Sequence, residues 1–249
     1  MPNPWDAGTA KLFASLGYRA LATTSSGFAG TLGRLDGGVS RDEALVHADA
    51  IATATELPVS ADLENCFADD PAGVAETLRR AAATGLAGCS IEDYDAESAE
   101  PIYDLARATD RVAAAVEIAR RDETRLVLTA RAENYLRGRR DLADTIRRLQ
   151  AYRAAGADVV YAPGLSDLAE IAEVVRSLDA PLNVLLLPGG PTVAELASVG
   201  VARISIGGSF HLLSLGAVEA AARELLEQGT HDFWATAQAG RKVRERAFD

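Results

Sequence analysis

Residues that form disulfides or bind transition metals are scarce in this chain, which has two cysteines and three histidines among its 249 residues. Cys66 and Cys89 lie in apolar surroundings near predicted strand ends, a pattern typical of a reduced intracellular protein without a disulfide framework. His47, His211 and His231 are isolated from one another in the sequence. We therefore expect any bound metal ion to be held by oxygen atoms.

Positive charge and long apolar runs are also limited. The chain has 25 Lys+Arg against 36 Asp+Glu, a net charge of -11 at pH 7, and its basic residues are scattered rather than gathered into a stripe. Such a surface repels phosphate backbones, so a nucleic-acid partner is not expected. No apolar run reaches the roughly 18 residues that a membrane helix needs, and the start "MPNPWDAGTA" does not have the form of a signal peptide. We expect a cytoplasmic protein without a membrane partner.

What the chain does contain is a regular succession of short apolar runs and helical segments. In one Ala-rich helical segment Asp70 is a predicted N-cap, Pro71 the first helical residue and Gly85 the stop. Another, "TVAELASVG", begins with a capping box of Thr192 and Glu195. Each apolar run can be a strand buried on both faces. The seven runs are "ALATTSS" (20–26), "PVSADLE" (58–64), "GCSIED" (88–93), "RLVLTAR" (125–131), "DVVYAPG" (158–164), "PLNVLLL" (181–187) and "ARISIGG" (202–208).

This alternation predicts a parallel α/β sheet, either closed as a (β/α)8 TIM-type barrel or open and doubly wound, and length and strand count favour the barrel. Such a barrel has eight strands, so we expect the first strand to be short or truncated, with "MPNPWD" as its tail. No linker or repeat divides the chain, and one barrel domain over 1–249 is expected. Residues 229–249 are predicted to be a C-terminal helical extension, whose Phe233 and Trp234 can pack against another subunit.

Charged side chains recur where three of the predicted strands end. Because the carboxyl ends of parallel barrel strands build the active site, these side chains can converge on one mouth although they are distant in sequence. Several carboxylates close together cannot all stay ionised without a counter-charge, so either a divalent cation is bound or some of them are protonated. The side chains are Asp62, Glu64, Glu92, Asp93, Arg131 and Glu133.

Oxygen ligands of this kind suit Mg²⁺, with Mn²⁺ as the alternative. Arg131 offers a bidentate fork for a substrate carboxylate or phosphonate. The loop "TTSSGFAG" (23–30) follows the first apolar run with the hydroxyls of Thr24, Ser25 and Ser26 and then Gly27. Its backbone N–H groups can point toward an oxyanion. The predicted site therefore holds an anion on a metal ion.

Two further features are compatible with a different binding site or with a further residue in the pocket. The sequence "SIGGS" (205–209) is similar to the glycine-rich turn with which many barrels bind phosphate. Cys66 follows Glu64 so closely that a role in the pocket remains an alternative to a place in the core.

With these residues in view, the chain resembles the isocitrate lyase/phosphoenolpyruvate mutase superfamily, and within it the phosphonomutase-like branch. The similarity runs over nearly the whole length, and several motifs in the same order and spacing are specific for the superfamily. They are "NPWDAGTAKLFASLGYRALATTSSG", "ADLEN", "GCSIED", "TARAEN", "GADVVYAPG" and "ARISIGGS".

The resemblance implies a barrel whose last helix is exchanged between neighbouring subunits, giving a homodimer or homotetramer, and a Mg²⁺ site for a small 2-oxo or dicarboxylic acid. It implies that Asp62 is the direct metal ligand and that Glu64 and Glu92 act through metal-bound waters. Arg131 is implied to bind the substrate carboxylate and to act in bond cleavage. Glu92 is implied to be a further catalytic residue, as is Asp36, which matches an acidic residue near the family's gating loop. The implied substrate-binding residues are Thr24, Ser25, Ser26, Gly27, Arg131 and Asn183.

The chemistry that the resemblance implies is formation or protonation of a pyruvate-like enolate. The leading hypothesis is a Mg²⁺-dependent lyase that cleaves a carbon-carbon bond next to the 2-oxo or 2-hydroxy group of a small dicarboxylate. The stretch after "IED" has neither the cysteine of the superfamily's lyases nor the lysine of the mutase. Pro163 stands at a position where the methylisocitrate branch has glutamate and the mutase branch has histidine. The alternatives are a phosphorus-carbon enzyme acting on phosphonopyruvate (mutase or hydrolase), a non-catalytic 2-oxo acid binder and a phosphate-binding biosynthetic barrel.

Overall fold

Seven short strands form one sheet whose strand order follows the chain, and every neighbouring pair is parallel. This computed structural model describes residues 1–121 and 125–248; residues 122–124 and 249 lie outside the described part. The strands are β1 (Leu21–Ala22), β2 (Val59–Asp62), β3 (Gly88–Glu92), β4 (Val127–Arg131), β5 (Val159–Tyr161), β6 (Leu182–Leu185) and β7 (Arg203–Ser205). Each predicted run contains one of them, so the predicted strand-helix alternation is confirmed.

The described residues form ten helices, and those between the strands surround the sheet to give a TIM-type α/β barrel. The helices are α1 (Ala7–Ser15), α2 (Ser25–Thr31), α3 (Arg41–Ala52), α4 (Pro71–Ala82), α5 (Leu105–Ala119), α6 (Leu142–Ala155), α7 (Leu168–Arg176), α8 (Val193–Ser198), α9 (Ser209–Gln228) and α10 (Trp234–Ala247).

The gap between β1 and β7 is bridged by residues near the N-terminus rather than by an eighth strand. The Pro2 carbonyl accepts a hydrogen bond from the Ala22 amide at 3.1 Å. On the other side, Asn3 Oδ1 accepts from the backbone amides of Ile206 and Gly207, both at 3.0 Å. Among residues 1–121 and 125–248, the additional first strand that the sequence predicted does not form. The segment "MPNPWD" nevertheless lies at the predicted place, between β7 and β1, and nearly closes the barrel.

Local capping signals set several helix starts. Asp70 accepts a hydrogen bond from the Gly73 amide at 2.7 Å, and Pro71 is the first residue of α4, as predicted. The predicted capping box of Thr192 and Glu195 is also present at α8. By contrast, "TTSSGFAG" is not the loop that was predicted. Thr24 caps a helix that begins at once, because its hydroxyl accepts from the Gly27 amide at 3.2 Å.

The hydrophobic core lies between the outer face of the sheet and the helices around it. β3 is buried along its whole length, and Leu78 of α4, Ile118 of α5 and Leu149 of α6 are fully buried against the sheet. Because the apolar core takes up this outer layer, the barrel interior carries small polar side chains. Those that line the central cavity include Ser60, Ser90, Thr129, Asn183 and Ser205.

Two helices at the C-terminal end of the chain extend the barrel. Gly229, which has a φ of 68°, caps the end of α9, and α10 follows and contacts α1. α9 exposes a broad apolar surface that includes Leu213, Val218 and Leu226. Within residues 1–121 and 125–248, no helix combines the length and apolar character needed to cross a membrane. The exchange of a helix between subunits stays a prediction.

Candidate active site

Arg131 stands at the carboxyl end of β4 and contacts three carboxylates through its three guanidinium nitrogens. Nη1 lies 2.8 Å from Asp62 Oδ1 at the end of β2. Nη2 lies 2.9 Å from Glu92 Oε2 at the end of β3, and Nε lies 2.9 Å from Glu133 Oε1 just beyond β4. We call these four residues the Arg131 cluster. Side chains that are distant in sequence thus meet at one barrel mouth, where the parallel strands all end.

Asp62 is the member of the cluster that faces the cavity and the start of α2. Its Oδ2 accepts a hydrogen bond from the Ser25 hydroxyl at 3.0 Å and lies 3.3 Å from the Ser25 amide nitrogen. Ser90 donates to Oδ1 at 3.3 Å. Asp62 therefore connects the predicted metal site with the predicted oxo-acid loop.

Negative charge at this mouth is only partly compensated. Burial, with the nearby carboxylates of Asp62 and Asp36, raises the pKa of Glu64 to about 8. Burial likewise raises the pKa of Glu92 and of Glu133. Asp36 itself is exposed, in the loop between α2 and α3, and lines the same mouth. A surplus of carboxylates over cations is the electrostatic condition under which a divalent cation binds well.

The arrangement fits a cation held by few direct protein ligands. Across residues 1–121 and 125–248, no group of three His, Cys, Asp or Glu side chains is placed to hold a metal ion by itself. Mg²⁺ is commonly bound through one or two carboxylates and retains several waters. The donor set, with Asp62 as the expected direct ligand and Glu64 and Glu92 near it, therefore fits Mg²⁺.

Glycine is required at the start of α2. A Cβ at Gly27 would lie 2.6 Å from Thr24 Cγ2, closer than real contacts allow. Thr24 is buried, and its hydroxyl lies 3.2 Å from that of Ser26. Thr24, Ser25 and Ser26 all line the central cavity, so the predicted oxo-acid residues lie together beside Asp62.

Asp93 was expected to join the carboxylates at the mouth, and this expectation is wrong. Successive residues at a strand end point to opposite faces, so Glu92 points inward and Asp93 outward. There Asp93 accepts hydrogen bonds from the Glu133 amide at 2.8 Å, from Arg148 Nη1 at 2.9 Å and from the Tyr152 hydroxyl. Asp93 is thus a buried structural anchor that ties the start of the β4–α6 connection to α6.

Replacement of Tyr152 by phenylalanine tests this structural role. The substitution removes a donor to a buried carboxylate, and we expect the free energy of unfolding to fall by about 1.5–3 kcal/mol. Urea denaturation measures the change. Tyr18→Phe, at a tyrosine that is 41% exposed, is the matched control and should lie within about 0.5 kcal/mol of wild type. Equal stability of the two variants would contradict the anchoring role.

The central cavity, of about 170 Å³, also contains residues that the sequence did not suggest. Arg203 of β7 reaches into the barrel, where Nε donates to Asn183 Oδ1 at 2.9 Å. The Asn183 amide nitrogen donates to Ser205 Oγ at 3.0 Å, so both ends of this predicted substrate-binding side chain already have protein partners. The only sequence signal for Arg203 is a charge within the apolar run "ARISIGG".

Two sequence alternatives are weakened by the geometry. In "SIGGS" the amides of Ile206 and Gly207 donate to Asn3 and are therefore engaged, although a phosphate-binding turn needs such amides free. Cys66 is fully buried in the core, and burial raises the pKa of its thiol to about 12, which removes the reactive thiolate.

Comparison with known proteins identifies the family to which this chain belongs. The pattern that defines phosphoenolpyruvate phosphomutase matches residues 1–226. The chain is 50% identical to a structure from Burkholderia cenocepacia J2315, provisionally named a lyase/mutase, with a TM-score of 0.94 over 98% of this chain and 88% of that one.

Two relatives with named activities are more distant. The 2-methylisocitrate lyase of Escherichia coli is 29% identical, over 79% of this chain and 69% of the relative. An oxaloacetate acetylhydrolase solved with its product oxalate is 26% identical, with a TM-score of 0.83 over 92% of this chain and 82% of that one. The chain therefore belongs to the phosphoenolpyruvate phosphomutase family and is an enzyme of the isocitrate lyase/phosphoenolpyruvate mutase type.

Proposed function

We propose that this protein is a Mg²⁺-dependent lyase that cleaves the carbon-carbon bond next to the 2-oxo or 2-hydroxy group of a small dicarboxylate. The observation that carries the proposal is the Arg131 cluster, an arginine between three carboxylates at the edge of a polar cavity. The relatives named for 2-methylisocitrate and oxaloacetate chemistry support the same reaction class. Cleavage would pass through a pyruvate-like enolate.

Each predicted residue then has a defined task. Asp62 would hold the metal ion, with Glu64 and Glu92 acting through water molecules. The bound Mg²⁺ would supply a Lewis acid that stabilises negative charge on the 2-oxo oxygen. Arg131 would hold the substrate carboxylate and stabilise the developing enolate charge from the second side.

The start of α2 would receive the oxo-acid carboxylate. The hydroxyls of Thr24, Ser25 and Ser26 line the cavity there, and the absence of a side chain at Gly27 permits the tight turn beneath them. Asp36 lies on the loop at the rim of the mouth, where it would act when the site closes.

Phosphorus-carbon chemistry on phosphonopyruvate is the second candidate, because the matching family pattern is that of a phosphomutase. A third candidate, a binder of 2-oxo acids without turnover, is favoured by one feature of the loop after β3. That stretch, residues 94–104, contains neither cysteine nor lysine to donate a proton or attack.

A proton and phosphorus NMR time course with Mg²⁺ separates these candidates. The panel is oxaloacetate, 2-methylisocitrate, isocitrate, dimethylmalate and phosphonopyruvate. Metal-dependent consumption of a dicarboxylate supports the lyase, and consumption of phosphonopyruvate alone supports the second candidate. If none is consumed while oxalate still binds with Mg²⁺, the lyase proposal fails and the binder stands.

We also propose that the enzyme works in the cytoplasm as a homodimer or homotetramer, in which neighbouring copies cover the apolar surface of α9. Deletion of residues 230–249 should then lower the particle mass measured by light scattering. A sharper variant is Leu213→Glu, since this leucine is 66% exposed in the single chain and its change would harm only an assembly.

The matched control for the assembly is Leu35→Glu, at a leucine that is 89% exposed in the α2–α3 loop. It should leave the mass unchanged while Leu213→Glu lowers it. An unaltered mass in both the deletion and Leu213→Glu would count against the assembly.

A further inference from the structure

Arg203 crosses the barrel interior. It belongs to β7, yet its Nη2 donates to Thr129 Oγ1 of β4 at 2.8 Å, and these two strands are not neighbours in the sheet. Its Nε donates to Asn183 Oδ1 of β6 at 2.9 Å. The guanidinium therefore lies inside the ring of strands, as part of the wall of the central cavity.

This cation has only neutral acceptors. Among residues 1–121 and 125–248, no carboxylate forms an ion pair with Arg203. Burial lowers the pKa of its guanidinium to about 10, and no carboxylate offsets that effect. A guanidinium carries five N–H donors, of which the described structure uses two. A partly buried cation with spare donors and no counter-charge is costly to keep unless an anion joins it.

Arg131 is the other cationic side chain that lines the cavity, and unlike Arg203 it has carboxylate partners. Each of its three nitrogens contacts a carboxylate, so its positive charge is already compensated by Asp62, Glu92 and Glu133. Arg131 therefore meets a substrate with its charge shared among protein carboxylates. Of the two arginines in the cavity wall, Arg203 is the one that has no carboxylate partner in the described residues.

The cavity between these two arginines is polar and small. Ser60, Ser90, Thr129 and Ser205 contribute hydroxyls to its wall, and the volume of about 170 Å³ suits a molecule of a few heavy atoms. Tyr161 also lines the cavity, and Arg131 Cζ lies 5.4 Å from its ring centroid. The lining therefore suits the distal end of a short, hydrophilic acid rather than an apolar chain.

We propose that Arg203 binds a second carboxylate of the substrate, deeper in the barrel than the 2-oxo acid group, because its guanidinium bonds to Thr129, which precedes Arg131 by two residues on β4. This inference rests on the proposed function, because it takes the Arg131 cluster as the place of the 2-oxo acid. Arg203 is a specificity-determining residue that selects dianionic acids over monocarboxylates such as pyruvate.

Calorimetry with Mg²⁺ tests the inference with two ligands. Oxalate fills only the 2-oxo acid position, whereas 3,3-difluorooxaloacetate adds a distal carboxylate. Arg203→Met should weaken binding of difluorooxaloacetate about 10- to 100-fold, the worth of a hydrogen bond to a charged group. Oxalate binding should change by less than about twofold. Arg203→Lys, which keeps the charge, should fall between Arg203→Met and wild type.

Arg107→Met, at an arginine exposed on α5, is the control and should bind both ligands as wild type does. Equal weakening of oxalate and difluorooxaloacetate by Arg203→Met, with a lowered melting temperature, would make Arg203 a structural residue and overturn the inference. Unchanged binding of both ligands would overturn it too. If wild type binds neither ligand with Mg²⁺, the proposed function itself has failed and the inference falls with it.

Discussion

Asp62→Asn is expected to abolish Mg²⁺-dependent binding of oxalate and, with it, turnover. The variant keeps the shape of the side chain but removes the negative charge that would bind the cation, and its amide group would face Arg131 Nη1, now 2.8 Å from Oδ1. Loss of residues that only support metal ligands costs about 10- to 100-fold in affinity, so loss of the direct ligand should exceed 100-fold. Titration calorimetry with oxalate measures the change.

The control for Asp62→Asn is Asp42→Asn, at an aspartate that is 74% exposed and paired with Arg80 on the surface. It should bind oxalate as wild type does in Mg²⁺, and wild type should lose that binding in EDTA. An unchanged titration of Asp62→Asn would refute the metal assignment, since no other carboxylate in the described residues has the same position facing both α2 and the cavity.

Arg131→Lys is expected to reduce turnover about 100- to 1,000-fold, the range measured when one donor to a developing oxyanion is lost. Lysine keeps the charge but cannot hold Asp62, Glu92 and Glu133 with three separate nitrogens. The buried carboxylates would then lack partners, and the free energy of unfolding should fall by about 3–5 kcal/mol. Steady-state kinetics with the substrate found in the NMR panel and urea denaturation measure the two effects.

Arg137→Lys is the matched control for Arg131→Lys. Arg137 follows β4 on the same loop, is 33% exposed, and its Nε is 3.8 Å from Glu133 Oε2. A weak, partly solvated pair of this kind contributes little, so turnover and stability should stay near those of wild type. If Arg131→Lys behaved like Arg137→Lys in both measurements, the central role of the Arg131 cluster would be wrong.

The sequence was informative where one local signal decides the structure. Each of the seven strands lies inside an apolar run, and Asp62 and Glu92, the last residues of β2 and β3, stand at the carboxyl ends that parallel strands share. The helix start at Asp70 and Pro71 is equally local, since the cap and the first turn lie within four residues. The fold and the predicted place of the mouth therefore followed from the sequence.

Other features depend on contacts that a linear pattern does not contain. The outward orientation of Asp93 follows from strand alternation, but its anchoring role depends on partners in α6, and Arg148 is 55 residues away along the chain. Arg203 bonds to Thr129, which is 74 residues away along the chain, and no sequence motif links the two residues. The helical form of Ser25–Thr31 was missed because serines and glycines commonly form turns, and the cap at Thr24 outweighed that tendency.

The seam between β7 and β1 gives the barrel one weak joint. Elsewhere neighbouring strands share a ladder of backbone hydrogen bonds. Here residues 1–3 bridge the two strands: the Met1 ammonium and Asn3 Oδ1 bond to the β7 side, and the Pro2 carbonyl and the Asn3 amide bond to the β1 side. Local opening is favoured where few backbone bonds must break. Since Gly207 and Gly208 line the cavity just beyond the carboxyl end of β7, local opening at this joint would transiently widen the mouth of the site. The Arg131 cluster stands on β2, β3 and β4, which pair through regular ladders. Ligands would thus enter and leave beside β7 and β1, whereas β2, β3 and β4 hold the charged side chains of the site.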